Sequence, residues 1–142
     1  MKLSTRGRYG INAMYELARS YGGAPMSIKA IAERQGIPES YLEQLIAVLR
    51  RDELVAGIRG AQGGYVLSRD PESITIGDVL RSLEGGLNLV DCLLEEDSCD
   101  KSCACPSRIV WKKVSDGLNQ VVDSITLRDM LTESAPLSAQ GE

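Results

Sequence analysis

Histidine is absent from all 142 residues. Without it the chain lacks the commonest general base at neutral pH and a favoured metal ligand, so a hydrolytic triad and a histidine-bound zinc site are both excluded. No apolar run approaches the roughly eighteen residues that a membrane helix needs, so no membrane span is predicted. The start, MKLSTRGRYGINAMYELA, interrupts its apolar residues with Asn12, Glu16 and Arg19 and forms no signal-peptide hydrophobic region. These absences predict a cytoplasmic protein in a reducing compartment, where four cysteines are metal ligands or redox groups rather than structural disulfides. The length suits one domain, or one small domain with an added oligomerisation element, and is enough to bury a real core without stapling.

The net charge of -4 would argue against nucleic acid if it were evenly spread. It is segregated instead. Residues 1–69 hold ten Lys/Arg against six Asp/Glu, while residues 70–142 hold six against fourteen. A basic half can bind phosphates by releasing counterions while an acidic half stays clear of them.

The pattern along the chain predicts a mainly α protein with a small β-wing. From about Thr5 to Tyr21, Ile11, Met14, Leu17 or Ala18, and Tyr21 recur at helical spacing, and Gly22-Gly23 ends the run. Ser27 caps a short helix from Ile28 to Gln35 that stops at Gly36, and Pro38 opens a third helix. That spacing is a helix-turn-helix. In the third helix Leu42, Leu45, Ile46 and Leu49 form an apolar stripe, which leaves Glu39, Ser40, Glu43, Gln44 and Ala47 on other faces. Two short strands flanking the tip GAQGG, residues Gly60 to Gly64, then read as a wing. Thr75 and Asp78 form a capping-box-like start to a helix through Leu83, ended by Gly85-Gly86. A long helix from about Ser107 to Ile125 carries Val110, Val114, Leu118, Val121 and Ile125 on one face, and that stripe needs a partner. The organisation predicted is a winged helix-turn-helix over 1–70, a connecting helix over 71–86 and a cysteine loop over 87–107. A dimerisation helix with a short terminal helix follows over 108–133, and then a flexible tail over 134–142.

A helix-turn-helix places the start of its second helix in the major groove, here Ser40, Tyr41, Glu43 and Gln44. Gln can pair with both edge groups of adenine, Glu accepts from cytosine N4, and Ser does either. Glu43 is informative because phosphates repel a carboxylate, so it is either a selector against sequences lacking a donor or an ordinary surface residue. Arg59 precedes a tip without bulky side chains (Gly60, Gly63, Gly64), which lets a guanidinium lead the wing into a minor groove. Lys2, Arg6, Arg8, Arg50 and Arg51 are placed to meet phosphates. Helix-turn-helix units also serve as interaction modules and glycine hairpins as mere turns, but the order of these elements in the basic half points to double-stranded DNA.

Cys92, Cys99, Cys103 and Cys105 fall within fourteen residues. Soft thiolates favour iron-sulfur clusters or zinc. Zinc sites usually present two matched short C-x-x-C-type knuckles, which this segment lacks, although Cys103 and Cys105 can chelate together. A disulfide switch is the other reading. Against it, Asp91, Glu95, Glu96, Asp97 and Asp100 surround the thiols with only Lys101 opposing, a field that disfavours free thiolate and that a cationic metal centre would offset. An iron-sulfur carrier or redox enzyme finds no support, since GAQGG lies in a hairpin rather than between a strand and a helix.

The stretches MKLSTRGRYG, ERQGIPESYLEQL, RGAQGGYVLSRD, the cysteine segment, W-x-x-V-S-D and SITLRDML together resemble the winged-helix regulator family that holds the IscR-type iron-sulfur cluster regulators and the NsrR and CymR types. The resemblance spans nearly the whole chain. It implies a homodimer clasped through the long C-terminal helix that binds an imperfect promoter palindrome, with Ser40, Glu43 and Gln44 on bases and Arg59 in the minor groove. It also implies a 2Fe-2S cluster, with 4Fe-4S as the alternative, on Cys92, Cys99 and Cys105, and iron-sulfur assembly proteins as partners. Arg108 stands where IscR-type regulators have a histidine ligand, and Arg8 where the NsrR type has an acidic one. The fourth ligand is then Cys103, a carboxylate such as Glu95, Asp97 or Glu43, or an exogenous group. In the IscR type the cluster changes which sequences are bound, with Glu43 exposed or hidden accordingly. A CymR-like alternative is a cluster-free repressor acting through an enzyme of cysteine synthesis.

Overall fold

The computed structural model describes residues 4–85 and 106–140, with side chains of the last helix described to Glu133. In chain order the elements are α1 (Thr5–Arg19), α2 (Ile28–Gln35), α3 (Glu39–Arg51), β1 (Val55–Ile58), β2 (Gly64–Leu67), a 3-10 turn (Pro71–Ser73), α4 (Ile76–Glu84), α5 (Pro106–Ser124) and α6 (Leu127–Gln140).

Local chemistry sets most boundaries. Ser27 accepts a hydrogen bond from the Ala30 N–H at the start of α2, and Gly36 closes it in the left-handed region at φ 64°. Thr75 and Asp78 form a reciprocal capping box at α4, and Thr126 with Asp129 repeats the arrangement at α6. The two starts are tied together: the Ile76 N–H donates to Ile125 O at 2.8 Å and the Leu127 N–H to Ile74 O at 3.0 Å.

The core collects the inward faces of α1, α2, α3, α4 and the start of α6. Met14, Leu17, Ile31, Leu42, Leu45, Ile46, Leu49, Ile74, Val79 and Leu127 are all essentially inaccessible. Each such side chain contributes about 1.5–3 kcal/mol on removal from water. β1 and β2 pair antiparallel, from Val55 with Leu67 at the buried base to Ile58 with Gly64 near the exposed tip. Met26, just ahead of α2, bridges Tyr65 through two backbone hydrogen bonds of 3.0 and 2.8 Å and pins the wing to the helix-turn-helix.

Two expectations change. Tyr21 is not part of a packed helical face: α1 ends at Arg19, and Tyr21 is 43 % exposed beyond it. The backbone also continues helical to Gln140, past residue 133 where the terminal helix was expected to give way to the tail.

Candidate nucleic-acid interface

α3 divides its residues cleanly. Leu42, Leu45, Ile46 and Leu49 are buried, and Ser40, Glu43, Gln44 and Ala47 lie exposed on the outward side. Pro38 gives this helix no side-chain cap, so the N–H groups ahead of Leu42, whose own donates to Pro38 O, have no acceptor within the helix. Tyr41 differs from its neighbours. It is half-buried, its ring edge-on to Tyr9 of α1 with centroids 5.9 Å apart and planes at 77°, and both rings pack on the core.

An open cleft of about 560 Å³ separates α3 from the wing, lined by Ile28, Glu43, Ala47, Arg50, Arg51 and Tyr65. Beside it a second cleft of about 420 Å³ is lined by Arg50, Arg59, Tyr65, Ile58 and the glycines Gly57, Gly60, Gly63 and Gly64. Arg50 and Tyr65 belong to both, so Glu43 and Arg59 share one continuous surface. Arg51 is partly engaged, its Nε 3.6 Å from Asp52 Oδ1. The wing tip demands glycine. Gly60 holds φ 116°, and a Cβ on Gly63 would sit 2.1 Å from Ile58 O. The surface therefore combines hydrogen-bonding side chains on a helix with guanidinium groups beside a slim hairpin, a chemistry suited to base edges and phosphates.

Two contributors escaped the sequence reading. Glu16 is 3 % exposed on the inward side of α1, where it accepts from Gln35 Nε2 at 2.7 Å and faces Arg34 Nη1 at 3.4 Å and Arg19 Nη1 at 3.7 Å. It fixes the end of α2 to α1. Its position, three residues after Ala13, is the signal that a carboxylate falls on the buried period. Ile58, 46 % exposed beside Arg59, adds an apolar group to the wing.

Lys2, Cys92, Cys99, Cys103, Cys105, Glu95 and Asp97 lie outside the described residues. Among the described residues no group of three or more Cys, Asp or Glu is assembled to hold a metal. At the exit of the cysteine segment, Arg108 Nε is buried without a hydrogen-bond partner among the described residues. On α5, Ser115 and Val122 are buried, whereas Val110, Val114 and Val121 are 52, 46 and 56 % exposed on one face. Arg81 of α4 grips Asp123 of α5 through two bonds of 2.7 and 2.8 Å and donates to Asn119 Oδ1 at 2.8 Å. The Arg81–Asp123 hydrogen bonding holds the Asp123 carboxyl below its ordinary value of 3.8 and raises Arg81. Among the described residues no helix is long and apolar enough to cross a membrane.

The family model described as iron-dependent transcriptional regulator, Rrf2, matches residues 3–133. The HTH-type transcriptional regulator CymR of Bacillus subtilis is 45 % identical over 92 % of this chain and 89 % of its own. The regulator IscR of Sodalis glossinidius is 36 % identical over 93 % of this chain and 79 % of its own. Among solved structures, T. potens IscR superimposes with a TM-score of 0.81 at 47 % identity, covering 96 % of this chain and 90 % of that one. A winged helix-turn-helix with a mostly helical body, matched along almost its whole length by named transcriptional regulators rather than enzymes, belongs to the Rrf2 family of DNA-binding transcriptional regulators.

Proposed function

We propose that this regulator binds palindromic promoter DNA as a homodimer and that its cysteine segment carries an iron-sulfur cluster whose state alters DNA affinity or sequence choice. The observation that carries the DNA half is the continuous surface joining Glu43 of α3, with Ser40 and Gln44 exposed beside it, to Arg59 of the wing across Arg50 and Tyr65. Ser40, Glu43 and Gln44 read base edges, Arg59 enters the minor groove, and Arg50 and Arg51, with Lys2, meet phosphates. The exposed Val110, Val114 and Val121 of α5 supply the face that a second copy covers.

For the cluster, the donor set is chemically suitable. Cys92, Cys99 and Cys105 would be ligands and Cys103 the fourth, for a 2Fe-2S cluster in preference to 4Fe-4S. Arg108 offers donors and no acceptor and so cannot ligate, but its Nε, without a partner among the described residues, is a donor available to an anionic group. When bound, the cluster would supply an iron- and redox-sensitive centre. Glu43 is exposed, so its carboxylate is free to reject sequences that offer no donor.

Protein purified without oxygen is expected to be coloured and to contain iron and acid-labile sulfide, with a spectrum altered in Cys103→Ala. Colourless protein holding stoichiometric zinc would end the cluster reading. Selection from a pool of random duplexes should return a two-fold symmetric site. Gln44→Ala should relax one position of that site and cost about tenfold in affinity. A second reading, a cluster-free CymR-like repressor, is favoured by the 45 % identity to CymR. It predicts that Cys92, Cys99 and Cys105 can all become Ala with no change in the DNA selected.

A further inference from the structure

Ser4 caps α1 by accepting from the Gly7 N–H at 3.4 Å, but Arg6 and Arg8 sit in its first turns, and no acidic residue is there to offset the positive end of the helix dipole. The missing carboxylate comes from the other side of the molecule. Glu84, the last residue of α4, accepts on one oxygen both the Ser4 hydroxyl and, at 3.1 Å, the Gly7 N–H. One turn on, α1 and α4 meet so closely that a Cβ on Gly10 would lie 1.9 Å from Leu83 Cδ1. Between these two clamps stands Tyr9, whose ring bears on Tyr41 in the first turn of α3, adjacent to Ser40 and two residues from Glu43.

We propose that Glu84 and Tyr9 are positioning residues for the DNA-reading helix: α1 is a strut, clamped at Glu84 and Gly10 and bearing on Tyr41, that sets how Ser40, Glu43 and Gln44 are presented. The proposal rests on the DNA reading above. Two packed contacts in series, one charge-assisted and one aromatic, form a contiguous route from the end of α4 to the reading face.

The test uses the full chain and the duplex that wild type selects from a random pool. Glu84→Ala and Tyr9→Leu are each expected to weaken binding about tenfold, and the double variant no further, because both break the same strut. Glu84→Gln, which keeps an acceptor oxygen, should restore most of the loss. Hydrogen exchange should quicken at the second-turn amides of α3, from Leu42 onward, in Glu84→Ala while α2 is unchanged. Should Glu84→Ala fail to fold, Tyr9→Leu alone, read by its affinity and by exchange in α3, decides the strut. Wild-type exchange in α3 together with wild-type affinity would overturn the strut, as would losses that multiply to about a hundredfold. If wild type selects no sequence at all, the DNA reading has failed, and the exchange of α3 still decides the strut.

Discussion

In α3 the apolar side chains are inside and the polar ones outside; in the α5 stripe it is the apolar side chains that meet solvent. Leu45 is wholly buried, and Ser40, Glu43 and Gln44 are exposed around it. Val110, Val114 and Val121 are about half exposed, with Trp111 at 40 % beside them. Among the described residues the reading helix is thus packed within one chain, while the α5 stripe is the face on which the proposed second copy would sit. Polar residues left outside a finished core point to a partner rich in hydrogen bonds and charge; an apolar stripe left outside points to a partner shaped like itself.

The sharpest way to break this contrast is to treat both helices alike. Leu45→Ala should cost about 3 kcal/mol in denaturant unfolding, the usual toll for a cavity in a closed core. Val114→Asp combined with Val121→Asp should leave helical content intact but raise the dimer dissociation constant about a hundredfold by sedimentation, close to 2.7 kcal/mol. Were that double variant to unfold the monomer instead, α5 would be core like α3 and the contrast would collapse. The smallest effect concerns the α4–α5 clamp. Arg81 lowers the Asp123 pKa, so the pair stabilises the fold above the ordinary carboxylate value and that contribution is lost as pH falls from about 4 through the depressed value. Because both side chains are more than a third exposed, Asp123→Asn should cost under about 1 kcal/mol at neutral pH and flatten the acid limb of the stability curve.

Where a boundary depends on neighbours in the chain, it was legible. α2 runs from Ile28 to Gln35 as Ser27 and Gly36 dictate, the Leu42, Leu45, Ile46, Leu49 stripe is buried, and the Thr75–Asp78 box forms. What was not legible depends on distant partners. Tyr41 reads like its exposed neighbours until Tyr9 arrives from another helix, and Met26 reads as a loop residue until it pairs with Tyr65. Glu84 looks like a helix-ending surface acid, yet its carboxylate caps α1, seventy-seven residues from Gly7 in sequence. Periodicity reports which way a side chain points, not what it will find there.

The outward face of α3 has one more consequence. Ser40, Glu43, Gln44 and Ala47 are exposed rather than buried in the core, so most substitutions there should shift stability by no more than about 0.5 kcal/mol. Folding and address are written in different letters of the same helix: one set of positions is constrained by packing, and the other is open to revision. A scaffold of this kind can acquire a new operator through a few surface changes while Leu42, Leu45, Ile46 and Leu49 stay fixed, and specificity can diverge among copies without each having to rediscover how to fold.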